Sequence, residues 1–446
     1  MFHPHNDRSR FTLFVLLAFF GALLIGCSPN DSDDASGAVD LDAKPGQQSD
    51  DPRRDIPNDV SLVDGSSDRA SGRGPTFDLD DPTAPQNPEL LGEPGRLIAS
   101  QVVEARSDGT LHRIWYESSG THDEAIMVSG LVAVPAGDGP EGGFPTISYA
   151  HEATGIGDDC APSRINSLDS TGQRQWGVIK TPTVVVATDY EGLGTDGVHH
   201  LLLGVTEARS VLDATKAAMQ LPDVEVSNRT IVWGEVQGGH AALFAGQLAE
   251  TWAPELNVVG VVADSAATEL PLLSVAAEAG AALDYLTMAA IGYADAYDLD
   301  LNDVATDATW SAFDEMTYGC TDDIRDAISG LSYTQLARKP ISELTGWNDA
   351  LVENNPGSVK FESPLLIAHG DENGLVPSVA SDALATRLCG LGQVLEYRLF
   401  DKGGAMLNGE PAQEIGAWID ARFAGEAMPS EPSTSRSDAV KYEVCG

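Results

Sequence analysis

The stretch Ile231-Val232-Trp233-Gly234-Glu235-Val236-Gln237-Gly238-Gly239-His240-Ala241-Ala242 sets a β-branched, aromatic run against a glycine-framed turn, after which small residues restart the chain as a helix. Strand, sharp turn and helix in this order form the frame that holds a nucleophilic serine at the edge of a sheet, with the pattern G-x-S-x-G. Gly234 and Gly238 keep their places, but Val236 stands at the centre. Valine has no oxygen, no transferable proton and no lone pair, so it cannot attack a carbonyl. No other G-x-S-x-G occurs in the chain.

Outward from this turn, apolar strands alternate with helical spacing. Residues 126–134 and 146–150 read as early strands, and 183–189 is continuously apolar, as a buried parallel strand should be. A helix spans 208–221, followed by strand 230–233, helix 239–250 and strand 258–263. Residues 364–369 and 394–400 read as the last two strands, and 412–423 as a closing helix. The alternation predicts an α/β fold with a mostly parallel central sheet and helices on both faces. Residues 96–264 and 361–426 then form two parts of one core. The helical stretch 265–360 reads as an inserted cap over the carboxyl edge of the sheet, where α/β proteins place ligands. Residues 427–446 read as a C-terminal tail.

The N-terminal segment points to a location outside the cytoplasm. Arg8 and Arg10 precede an apolar run over 11–27, the pattern of a signal peptide. Leu24-Ile25-Gly26-Cys27 resembles a lipobox, which makes Cys27 the lipidated residue of a bacterial envelope lipoprotein. The competing reading is an uncleaved membrane anchor, for which the run is slightly short. Residues 28–95, rich in Asp, Ser, Gly and Pro, read as a disordered acidic tether. With 68 acidic residues against 26 basic ones the formal net charge is -42, which makes nucleic acid a poor partner. Cys160, Cys320, Cys389 and Cys445 are an even set in an exported chain and suggest two disulfides, with three pairings open. No C-x-x-C pair occurs, and Asp298, Asp300 and Asn302 begin a calcium-like loop that Asp303 and Thr309 spoil, so no metal or cofactor is expected.

In the order and spacing of several stretches, the chain resembles the secretory lipase family of the α/β-hydrolase fold. These are Ala150-His151-Glu152-Ala153-Thr154-Gly155, Thr188-Asp189-Tyr190-Glu191-Gly192, the turn at Val236, and Gly370-Asp371-Glu372-Asn373-Gly374-Leu375-Val376-Pro377. The resemblance implies ester hydrolysis by serine, aspartate and histidine in that chain order. It also implies pairing Cys160 with Cys320 and Cys389 with Cys445. The triad positions fall on Val236, Asn373 and Ala405, and no histidine follows His369. Asparagine can orient an imidazole but has no charge to stabilise imidazolium. Asp371 or Glu372 could supply a carboxylate from a shifted loop, without a base to orient. The backbone N–H of Gln237 remains as an oxyanion donor, while Glu152 stands where many relatives have glycine. Elsewhere, His240 reads as a packing residue, and His199, His200 and Ser265 as candidates for a relocated pair.

These readings predict a lipid-anchored pseudoenzyme that binds an acyl or ester-like small molecule, or a protein partner, without turnover. The alternative is an active lipase or carboxylesterase using relocated residues.

Overall fold

Side chains alternate across each strand, and this divides the core into two layers. On the strand before the turn, Val232 packs into one cluster with the helices of one face, while Ile231 and Trp233 join a second cluster on the opposite face. The computed structural model describes residues 85, 88–401, 409–429 and 439–445. The signal and lipobox reading with Cys27, nearly all of the proposed tether, and Ala405 lie outside the described residues.

Ten strands form one sheet: β1 (Leu97–Arg106), β2 (Gly109–Ser119), β3 (Ala125–Pro135), β4 (Phe144–Ala150), β5 (Val184–Thr188), β6 (Val226–Glu235), β7 (Asn257–Asp264), β8 (Leu365–Gly370), β9 (Leu395–Phe400) and β10 (Ala439–Cys445). Their spatial order is β1-β2-β3-β5-β4-β6-β7-β8-β9-β10. From β5 through β9 every neighbouring pair is parallel, whereas β1, β2 and β3 at one side and β10 at the other are antiparallel. The first cluster is filled from α1 (Gly204–Ala218) and α2 (Gln237–Trp252).

Between β7 and β8 the chain leaves the sheet as α3 (Leu270–Glu278) and α4 (Leu283–Ala296), several shorter helices, and α5 (Thr345–Glu353). This insertion has apolar clusters of its own, one around Leu270, Tyr293, Trp347 and Leu351, another around Met288, Ile291, Met316 and Leu336. After β8 comes α6 (Ser378–Gly390), whose Leu384, Ala385 and Leu388 complete the first cluster. After β9 comes α7 (Gly409–Phe423), whose Ile415, Trp418 and Ile419 cover the second.

Two departures from the sequence reading concern antiparallel strands at the sheet's edges. The hairpin β1–β2 carries Gln101, Glu104, Arg106, His112 and Arg113, too polar for the apolar-run criterion that found the buried strands. The stretch expected to be a tail instead contains β10, which pairs with β9 from Ala439↔Phe400 to Cys445↔Leu395. A strand that returns antiparallel after the final helix lies outside the β–α alternation, so periodicity gave it no place. Both disulfides are formed: Cys160–Cys320 closes a separation of 160 residues and Cys389–Cys445 one of 56. The second ties β10 to α6, and its loss frees the edge strand. Cys445→Ser should lower the unfolding free energy by about 2–4 kcal/mol, read from urea denaturation under oxidising conditions.

Candidate functional site

At the end of β6 the backbone turns sharply: Val236 has φ 52° and ψ -104°, and α2 starts at Gln237. A β-branched residue at positive φ crowds its own backbone, at a cost of about 1–3 kcal/mol. The surroundings nevertheless impose the conformation. Val236 N–H donates to Asp264 O (3.0 Å), and Val236 O accepts from Ala267 N–H (3.0 Å) and His240 N–H (3.1 Å). The flanking glycines are steric requirements. A Cβ on Gly234 would lie 2.0 Å from Gly238 O, and one on Gly238 would lie 1.8 Å from Ala150 O.

The valine side chain does not face an open cleft. It is 5% exposed and packs with Val376 and Ala380, against Leu375 from the loop after β8 and Leu273 and Tyr285 from the insertion. Helices α3 and α4 therefore pack, through Leu273 and Tyr285, against the apolar cluster that contains Val236.

Asn373 lies in that same loop after β8. Its Oδ1 accepts from the N–H groups of Leu375 (2.9 Å) and Val376 (3.0 Å), closing an Asx turn that sets the path of the two residues packed near Val236. This side chain organises its own loop. Asp371 and Glu372 are exposed, and Asp371 Oδ1 accepts from Ser378 Oγ (3.2 Å).

The candidate histidines near the sheet edge are all engaged. His240 is fully enclosed, 2.8 Å from both Glu207 Oε2 and Asn354 O. His199 donates from Nδ1 to Glu191 O (2.9 Å) and stands 3.0 Å from Gln237 Nε2, which also donates to Glu207 Oε1 (2.7 Å). Burial pulls His199 down to about 4. His369 Nε2 donates to Val376 O (2.9 Å), so Nδ1 accepts from Ser381 Oγ (2.8 Å). Ser265, also at positive φ, is completely buried and donates to Asp264 Oδ1 (3.1 Å). The contacts of His199, His200 and Ser265 bring no Ser–His pair together from these three.

Two features had no clear sequence signal. Glu235, beside Val236, is buried in register with Asp264 on β7; desolvation first, and the Asp264 charge second, hold its carboxyl well above the usual range. His200 bridges the core and the insertion. Its protonated ring donates to Thr121 Oγ1 (2.8 Å) and to Asp295 Oδ2 on α4 (2.8 Å), with Glu191 Oε2 at 3.6 Å. Burial opposes that charge, but the carboxylates of Asp295 and Glu191 outweigh it and raise His200 to about 9.

The loop that carries Glu152 is stitched to the insertion. Cys160–Cys320, Thr321 N–H to Thr154 O (3.0 Å) and Ile156 N–H to Gly319 O (3.3 Å) bind it there. Glu152 is exposed, and its charge reaches Tyr285 and Glu235. Among the described residues no cluster of His, Cys, Asp and Glu has metal-holding geometry.

A left-handed turn after the central strand of a mostly parallel sheet, under a helical insertion, defines the class: an α/β-hydrolase fold. The chain belongs to the secretory lipase family, whose model matches residues 177–431. It is 27% identical over 199 residues to Lipase A of Moesziomyces aphidis, an alignment covering 41% of each chain. It is 24% identical over 361 residues to the Mycobacterium tuberculosis protein called "Probable inactive lipase", covering 75% of this chain and 80% of that one. Among solved structures it is similar to Candida antarctica lipase A in its closed state, with TM-score 0.64 and 19% identity over 79% of this chain and 88% of that one. Family membership and two disulfides fit an extracytoplasmic location.

The His200 bridge gives a pH prediction. Its folded pKa lies above the ordinary value of 6.5, so its stabilisation is complete below about 6.5 and is lost as pH rises through about 9. His200→Gln should remove a pH-dependent contribution on the order of 3 kcal/mol or less. Thermal unfolding of variant and parent should therefore differ most near pH 6, less as pH rises from there, and converge above the folded pKa.

Proposed function

We propose that this chain is a non-catalytic member of the secretory lipase family that binds an acyl or ester-like ligand without hydrolysing it. One observation carries the reading: the elbow geometry is retained around a valine that has no group to donate or attack with. Asn373 commits its carbonyl oxygen to its own loop, and no histidine follows His369 in the sequence. Triad members act as a unit, so loss of the nucleophile alone removes on the order of a millionfold of rate.

The interior of the cap matches an apolar ligand in chemistry, and an acyl chain has to widen it to enter. Within the cap lies a cavity of about 60 Å³ lined by Leu286, Ala290, Val304, Phe313, Met316 and Leu336, among others. Thr287 and Thr309 at its wall donate their hydroxyls to Leu283 O and Leu336 O, so the lining offers hydrocarbon rather than polar recognition. Residues 1–27 would place the protein in the bacterial envelope, anchored by lipid on Cys27, with 28–95 as its acidic spacer.

The active alternative needs a relocated nucleophile. Ser381 and His369 lie 2.8 Å apart, but both are fully buried, and the other nitrogen of the ring is committed to Val376 O. That pair serves packing. The purified protein should take no label from a fluorophosphonate and should not hydrolyse short-chain nitrophenyl esters, while a medium-chain fatty acid should raise its melting temperature. Covalent labelling that maps to any serine contradicts the non-catalytic reading.

A further inference from the structure

The loop that replaces the triad acid contains Asn373 followed by Gly374. Asn373 is half-buried, Gly374 is exposed, and its N–H has no hydrogen-bond partner among the described residues. Two backbone N–H groups, from Leu375 and Val376, converge on Asn373 Oδ1 at 2.9 and 3.0 Å. A turn closed through Oδ1 folds the side-chain amide back over the following peptide, toward the Gly374 nitrogen. Glycine has no Cβ to obstruct that approach. The two donors on Oδ1 stand where negative charge gathers when a nucleophile adds to Cγ, the arrangement that stabilises an oxyanion.

We propose that Asn373 is a site of self-modification, at which the folded loop promotes conversion of the asparagine into aspartate and isoaspartate. The Gly374 amide nitrogen, after giving its proton to hydroxide, attacks Asn373 Cγ, and the new C–N bond places the charge on Oδ1. The Cγ–Nδ2 bond then breaks, and ammonia leaves with a proton taken from water. Water opens the resulting five-membered imide at either carbonyl. Attack at Cγ yields aspartate with the original backbone, while attack at the main-chain carbonyl yields isoaspartate, with the chain running through Cγ. The net reaction consumes one water and releases one ammonia, with no oxidation.

Both products matter for this fold. Aspartate puts a carboxylate at the position where the resemblance places the triad acid. Isoaspartate adds a methylene to the backbone just before Leu375 and Val376, which pack near Val236 beneath Leu273 and Tyr285. The modification therefore loosens the contact on which α3 and α4 rest.

The test is peptide mapping by mass spectrometry of the full chain held in mildly alkaline buffer, folded and in urea. The peptide carrying Asn373 should gain one mass unit and split into two chromatographic forms, several times faster in the folded protein than in the unfolded one. Gly374→Ala is the matched variant: a Cβ there meets nothing within 4 Å, so the fold tolerates it. It should slow the conversion severalfold with an unchanged melting curve. A folded rate equal to or below the unfolded rate overturns the proposal, as does a Gly374→Ala variant that converts as fast as the parent. The second Asn-Gly pair, Asn408-Gly409, falls on a separate peptide and is followed in the same digest.

Discussion

The structure depends on a backbone constraint: the chain must reverse from β6 into α2 within one residue, at positive φ, between glycines that admit no side chain. Gly234 and Gly238 bring two strand ends and a helix start closer than any Cβ permits. Three backbone hydrogen bonds through Val236 then tie the turn to β7, to the residues after it, and to the first turn of α2. The conformation is therefore a property of the sheet edge rather than of the residue standing in it. Serine tolerates such a position better than valine does, so a cost of about 1–3 kcal/mol persists because the surroundings over-determine it.

Once the hydroxyl is absent, the chemistry around the turn becomes packing. Val236 clusters with Val376 and Ala380, and Leu375 from the loop after β8 packs against that cluster together with Leu273 and Tyr285 from the insertion, an apolar contact where a reacting ester would otherwise need room. The Asx turn at Asn373 holds two of those side chains in place. The insertion is secured elsewhere by a disulfide at Cys320 and a charged bridge at His200, so the apolar contact is one of several fastenings. Electrostatics near the turn also fit a closed site: Glu235 and Asp264 are buried side by side, and desolvation favours the neutral form of Glu235.

Much of the fold was legible because buried parallel strands are continuous apolar runs: Val184–Thr188 and Leu365–Gly370 differ from their sequence-based ranges by one residue at each end. The turn was legible because glycine spacing around Val236 records close backbone approach. The antiparallel edges were not, since β1, β2 and β10 carry polar residues and take their stability from neighbours distant in sequence. The role of Asn373 was hidden for a related reason: an asparagine in an acid's place reads as a lost charge, while its two hydrogen bonds depend on a turn only the fold closes. His200 gave no periodic signal, because its partners Thr121, Glu191 and Asp295 come from three separate segments.

The backbone of the elbow keeps its sharp positive-φ turn around a valine, which has no group to attack with. Whether that frame still supports chemistry is read from the esterase activity of the triple variant Val236→Ser, Asn373→Asp, Ala405→His, measured on a short-chain nitrophenyl ester beside Val236→Ser alone. Turnover and fluorophosphonate labelling at residue 236 are expected in the triple variant, and little of either in the single one. A triple variant that folds with the parent's melting temperature yet stays silent and unlabelled would contradict that expectation.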